Sequence, residues 1–101
     1  MPILTNLMSK HQKPERLQVA ERCRFDRRVQ GPSESVAEFV FALQALAEHC
    51  GYCDGLSERL RDRLVAGIRS IPTQRALMIQ KNLTYDTAFQ TAISTELALK
   101  V

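Results

Sequence analysis

The sequence predicts an all-α domain, a compact bundle of five to six short helices, and three observations carry that prediction. Apolar residues recur at helical spacing in mid-chain, at Val36, Phe39, Val40, Leu43, Leu46, Ala47 and Cys50. These positions run i, i+3, i+4, i+7, i+10, i+11 and i+14, the stripe that one buried helix face produces. No segment alternates apolar and polar residues over strand length, and runs of β-branched residues are absent. Helix stops recur at short intervals, at Gly31-Pro32, Gly51, Ile71-Pro72 and Asn82-Leu83, so short connections bring neighbouring helices together.

In chain order, residues 3–11 place Ile3, Leu4, Leu7 and Met8 on one side of a short helix. Pro14 suits the first turn of a second helix. That helix runs to about Val29, with Leu17, Val19, Ala20, Cys23 and Phe25 as its apolar residues. Gln30-Gly31-Pro32 then interrupts the chain, because Gly permits a bend while Pro fixes φ and removes a donor. Ser33 or Ser35 caps the third helix, with Glu34 and Glu38 near its positive end. Cys50-Gly51 closes it. Asp54 or Ser57 caps a fourth helix carrying Leu56, Leu60, Leu64 and Ile68 at spacing four, with Val65 beside them. Ile71-Pro72 marks its end. A short fifth helix over about 73–81 offers Ala76, Leu77 and Met78 for packing. After a turn at Asn82-Leu83, Thr84 caps the last helix, where Tyr85, Ala88, Phe89, Ala92 and Ile93 form a stripe that Leu97 extends.

A chain of 101 residues with 45% hydrophobic and 25% charged content suits one domain with one modest core. No apolar run approaches the ~20 residues that span a membrane. Lys10, His11 and Lys13 interrupt any signal-peptide pattern, so the expected compartment is the cytoplasm. The net charge of +3 is a mild excess. Its densest cluster is Arg22, Arg24, Arg27 and Arg28. With Glu15, Glu21 and Asp26 as partners, this reads as a solvated helix face. It lacks aromatic interleaving for base stacking, so RNA is expected as a weak or indirect partner. Three cysteines without secretory context do not define a disulfide framework. Cys23 and Cys50 are expected to be buried free thiols.

The catalytic and metal classes find little to stand on. Cys50-Gly51-Tyr52-Cys53, preceded by His49, has a Cys-x-x-Cys spacing. A structural zinc site needs four ligands, and Cys23 and His11 are remote in sequence. A redox role for the motif needs a βαβ context. Glu34, Glu38 and Glu48 are explained by capping and solubility. The two histidines have no evident nucleophile arrangement, and the four glycines form no phosphate loop. The expectation is a protein that is not an enzyme, with no cofactor, metal or small-molecule substrate.

Residues 30–39 carry a further signal. The Gln30-Gly31 turn, Glu34 three residues after the Gly and Phe39 five residues later resemble the major homology region of retroviral capsid proteins. Around them lie His11-x-x-Pro14, Val19-Ala20-Glu21-Arg22-Cys23-Arg24-Phe25, Leu46-Ala47-Glu48-His49-Cys50, Leu60 through Ile68, and Asn82 through Ala88. Their order and spacing resemble the Gag protein of gypsy-class LTR retrotransposons over roughly residues 3–98.

The resemblance implies that residues 1–13 hold the end of a preceding capsid helix and a linker, and residues 14–101 a capsid C-terminal-like domain. It implies a structural role, self-association that builds a cytoplasmic particle around RNA. It assigns Gln30, Gly31, Glu34 and Phe39 to an internal brace. It also places a twofold dimer contact on the helix at residues 56–68, with Leu60 and Arg61 central and Leu56 and Leu64 flanking. Retroviral capsids carry an Arg eight residues after the Glu, and here that position is Ala42. The polar network is therefore incomplete or takes another partner. The alternative is a host gene recruited from such an element, a SCAN-like or Arc-like module for dimerisation or peptide binding.

Overall fold

The computed structural model describes residues 14–99. It contains helices α1 (Pro14–Arg27), α2 (Val36–Ala47), α3 (Leu56–Gly67), α4 (Ile71–Met78) and α5 (Tyr85–Leu99), with no strand among the described residues. The all-α expectation holds. The helix expected at 3–11, with Ile3, Leu4, Leu7 and Met8, and the side chain of Leu17 lie outside the described residues. No described helix is long and apolar enough to cross a membrane.

α1 departs most from its predicted packing. Phe25 is fully buried, but Val19 is 61% exposed, and Ala20 and Cys23 are exposed as well. The expectation of a buried Cys23 thiol is thus corrected. The helix turns a stripe of Gln18, Glu21, Arg22 and Phe25 inward. Arg22 Nε donates to the Cys50 carbonyl at 2.7 Å, and Gln18 lies against Gly51. Long polar side chains here cover apolar surface and satisfy a carbonyl past the end of α2. An apolar pattern cannot register such a face.

Ser35, not Ser33, caps α2, and it does so in a capping box. Its hydroxyl accepts from the Glu38 N–H while the Glu38 carboxylate accepts from the Ser35 N–H. Val36, Phe39, Val40, Leu43 and Ala47 are buried as the spacing predicts, and Cys50 follows in the turn. Gly51 takes the left-handed conformation there, with φ of 72°.

α3 starts at Gly55, whose φ is 76°, and neither Asp54 nor Ser57 caps it. Leu60, Leu64 and Ile68 are buried, whereas Leu56 is 37% exposed. α3 packs against α2, α4 and α5. Ile71-Pro72 opens α4 instead of closing α3, because Pro is harmless in a first turn where the N–H has no intrahelical partner. Ser70 caps α4 by accepting from the Thr73 N–H. Leu77 is buried in α4, while Ala76 and Met78 are exposed. Thr84 and Thr87 bond reciprocally at the start of α5. Ala88 and Ala92 are the fully buried residues of that helix. Leu97 is 60% exposed and does not extend the stripe.

Candidate functional site: the braced turn and its neighbouring surfaces

The turn between α1 and α2 is joined to the corner between α3 and α4. Gln30 is buried and bonded at three atoms. Its N–H donates to the Gly67 carbonyl at 2.9 Å. Its Oε1 accepts from the Arg69 N–H at 2.8 Å, and its Nε2 donates to the Glu34 carbonyl at 2.7 Å. One side chain therefore occupies a donor and an acceptor on two different connections. The approach is close enough to require glycine at 67. A Cβ there would stand 2.8 Å from Phe39 Cζ and 3.0 Å from the Arg28 carbonyl oxygen.

Glu34 holds the turn from the other side. Its Oε1 accepts from the Gly31 N–H and from Arg28 Nη1, each at 2.9 Å, and its Oε2 accepts from Arg28 Nη2 at 2.6 Å. This forked ion pair is stronger than a single-point contact. The Arg28 bonds, helped by the Gly31 N–H, hold the Glu34 carboxyl below the usual glutamate range. The same pairing raises Arg28. The Arg28 guanidinium also lies 5.6 Å from the centre of the fully buried Phe39 ring. Arg63 donates to the Arg28 carbonyl at 2.8 Å, and Arg69 donates to the carbonyls of Gly31 and Glu34.

Gln30, Gly31 and Glu34 thus share one network, with Phe39 packed under its Arg28 guanidinium. Its cationic partners are Arg28, Arg63 and Arg69, which the sequence reading did not single out for this role. Ala42 supplies no polar group to this network, whose guanidinium groups come from Arg28, Arg63 and Arg69. Arg28 stands six residues before Glu34, and that short separation was the available signal. Arg63 and Arg69 come from a distant connection and gave none.

The residues expected to form a twofold contact are distributed otherwise. Leu64 is fully buried and Leu60 is 5% exposed, both within the monomer's own core. In the monomer these two leucines serve the core, which leaves them little surface to offer a partner. Arg61 is held to its own chain, donating to Asp62 at 3.0 Å and to the Leu83 carbonyl at 3.2 Å. Leu56 remains at the edge. The outward ridge of α3 carries Glu58, Arg59, Asp62 and Ala66, a mixed-charge surface.

An apolar surface lies instead between α1 and α2. Ala42, Ala45 and Leu46 floor a shallow groove of about 580 Å³, walled by Arg24, Arg27 and Arg28. Phe41 stands beside its floor on α2 and is 63% exposed, the one exposed aromatic among the described residues. A smaller cavity of about 190 Å³ lies where α2 begins, near the α3–α4 corner and α5. At its edge Glu96 accepts from the Val36 N–H at 2.9 Å.

The Cys-x-x-Cys segment separates its two thiols. Cys50 is buried and donates to the Leu46 carbonyl, and burial pushes its thiol up, whereas Cys53 is exposed. Tyr52 between them is flanked by Arg22 and Arg59, at 5.0 and 4.5 Å from its ring centre. Among the described residues, no group of three His, Cys, Asp or Glu side chains is placed to hold a metal ion. Comparison with protein-family models, with curated proteins and with solved structures finds no match to this chain.

Proposed function

We propose that this chain is a structural self-association domain of the capsid C-terminal type. It would come from the Gag protein of a gypsy-class LTR retrotransposon, or from a host gene derived from one. It works by binding copies of itself in a cytoplasmic particle around RNA, and it performs no catalytic step. One observation carries the reading. Of the residues in which the sequence resembles a major homology region, Gln30, Gly31 and Glu34 share one hydrogen-bonded network and Phe39 packs under its Arg28 guanidinium. That network joins two interhelical connections. A lattice subunit needs such rigidity, because small contacts repeated over a shell add up only if each copy presents the same shape.

The test is solution mass against concentration, by light scattering behind a sizing column, with electron microscopy of the concentrated sample. Reversible, concentration-dependent association or closed assemblies are the expected result. A strict monomer up to millimolar concentration overturns the proposal.

A further inference from the structure

Self-association needs a surface, and at the centre of the expected one Leu60 is buried and Arg61 is bonded to its own chain. The face built by α1 and α2 has the required features together. Phe41 projects from α2 as an exposed aromatic. Ala45 and Glu48 follow at i+4 and i+7, on the same side of the helix, and both are exposed. Ala45 is also part of the groove floor, with Ala42 and Leu46. An aromatic knob therefore stands on the lip of an apolar groove.

The charges are arranged in the same way. The wall of the groove formed by α1 and the residue after it is basic, with Arg24, Arg27 and Arg28. Arg24 is paired with Glu21 and Arg28 with Glu34. Arg27 is exposed and makes no ion pair among the described residues. On the α2 side, Glu48 is exposed at the C-cap. A carboxylate at the negative end of a helix is unfavourable by itself, and a cation supplied from outside relieves it. The face thus carries a knob and a groove, and an acid and a base. Those are the two halves of an isologous contact, in which patch i meets j and j meets i. The exposed residues of α4, Ile71 and Met78, lack this pattern, since Arg75 is the only charge on that helix.

We propose that two copies of the chain associate about a twofold axis through the α1–α2 face. Each Phe41 seats in the other copy's groove over Ala42, Ala45 and Leu46, and each Glu48 meets the other copy's Arg27. The inference rests on the self-association reading above and gives it a surface. The contact is small, with one aromatic anchor on each side, so its affinity is micromolar or weaker, in keeping with the few residues that dominate such interfaces.

The test uses sedimentation equilibrium on the wild type, Phe41→Glu, Glu48→Arg, Arg27→Glu and the double variant Glu48→Arg with Arg27→Glu. Phe41→Glu is expected to weaken dimerisation about tenfold or more, as loss of a central aromatic anchor does. Each single charge reversal weakens it several-fold, and the double variant recovers to within about threefold of wild type, since the opposite charges again face each other. All three positions are exposed, so melting temperatures stay within about 3 °C of wild type and misfolding is excluded. A wild-type dimer that Phe41→Glu leaves intact overturns this surface while self-association stands. So does failure of the double variant to recover. A wild type that stays monomeric overturns the self-association reading itself.

Discussion

Replacing Gln30 by Ala tests the brace at its most connected residue. The backbone bond from Gln30 N–H to the Gly67 carbonyl survives the change, so only the side-chain bonds are at issue. The Arg69 N–H loses its acceptor Oε1, and the Glu34 carbonyl loses its donor Nε2. The two losses are unequal. The Glu34 carbonyl still accepts from Arg69 Nη1 at 3.1 Å. Among the described residues the Arg69 N–H has no second acceptor.

A hydrogen bond contributes about 1 kcal/mol net, and an orphaned buried donor costs about 1–3 kcal/mol. Both bonds are only part-buried, so water relieves some of the penalty and the sum falls near 2 kcal/mol. For a domain of this size each kcal/mol moves the melting temperature by about 4–8 °C. The expected drop is therefore about 10 °C, read by circular dichroism during heating and checked as a lower urea midpoint at constant m-value. Phe41→Ala serves as the exposed control and leaves the midpoint in place. A Gln30→Ala midpoint within about 3 °C of wild type would refute the reasoning, because it would mean that the two connections hold together without this side chain.

Three further outcomes are expected. Glu34 is held below the ordinary glutamate range by Arg28 and the Gly31 N–H, so its contribution is complete above the unfolded value and lost as pH falls through the folded one. Stability measured from neutral pH down to about pH 2 should fall below about pH 4.3, the ordinary glutamate value, and Glu34→Gln should be less stable at neutral pH and flatten that limb; an unchanged profile would exclude Glu34 as a contributor. Gly67→Ala should destabilise by ~1–3 kcal/mol through its clash with Phe39 and the Arg28 carbonyl, although Gly→Ala inside a helix ordinarily stabilises by about 1 kcal/mol; urea unfolding reads the sign. Leu60→Ala should lower stability by ~2–4 kcal/mol as a core truncation, yet leave the association constant of the folded fraction unchanged in sedimentation at low temperature; weakened association would return Leu60 to an interface.

Where a local signal determined a feature, the sequence was readable. The α2 stripe and its Ser35–Glu38 capping box follow from spacing within one segment. So does the Thr84 start of α5. Two kinds of feature escaped. The inward face of α1 is made of Gln18, Glu21 and Arg22, whose long side chains act as cover, and hydrophobic periodicity has no weight for them. The corner at Ile68–Ser70 escaped because Pro72 is compatible with ending one helix or starting the next, and only the Ser70 cap decides between them. For the brace, Gln30 and Glu34 were named through the resemblance to a major homology region, and spacing alone gave Glu34 only a place near a helix start. The guanidinium partners Arg63 and Arg69 could not be named, since nothing near them in sequence distinguishes a bonded arginine from a solvated one.

The leucines of α3 show why the surface was harder to read than the fold. Spacing four on a helix places Leu60 and Leu64 on one side, and that pattern is the same whether the side meets the chain's own core or a second copy. What decides the matter lies more than 20 residues later, in α5. That helix packs against α3 and buries Ala88 and Ala92, two of its three alanines. Small residues let two helices approach closely, and a close α5 contributes to the core that encloses Leu60 and Leu64. With that face of α3 used internally, the apolar groups left for association are the half-buried edge of the α2 stripe at Leu46 and the residues outside the stripes. Phe41 is one of them. It falls between Val40 and Leu43, out of step with every buried position of α2. A large aromatic in that position gains nothing from the monomer's core, and its burial requires another molecule.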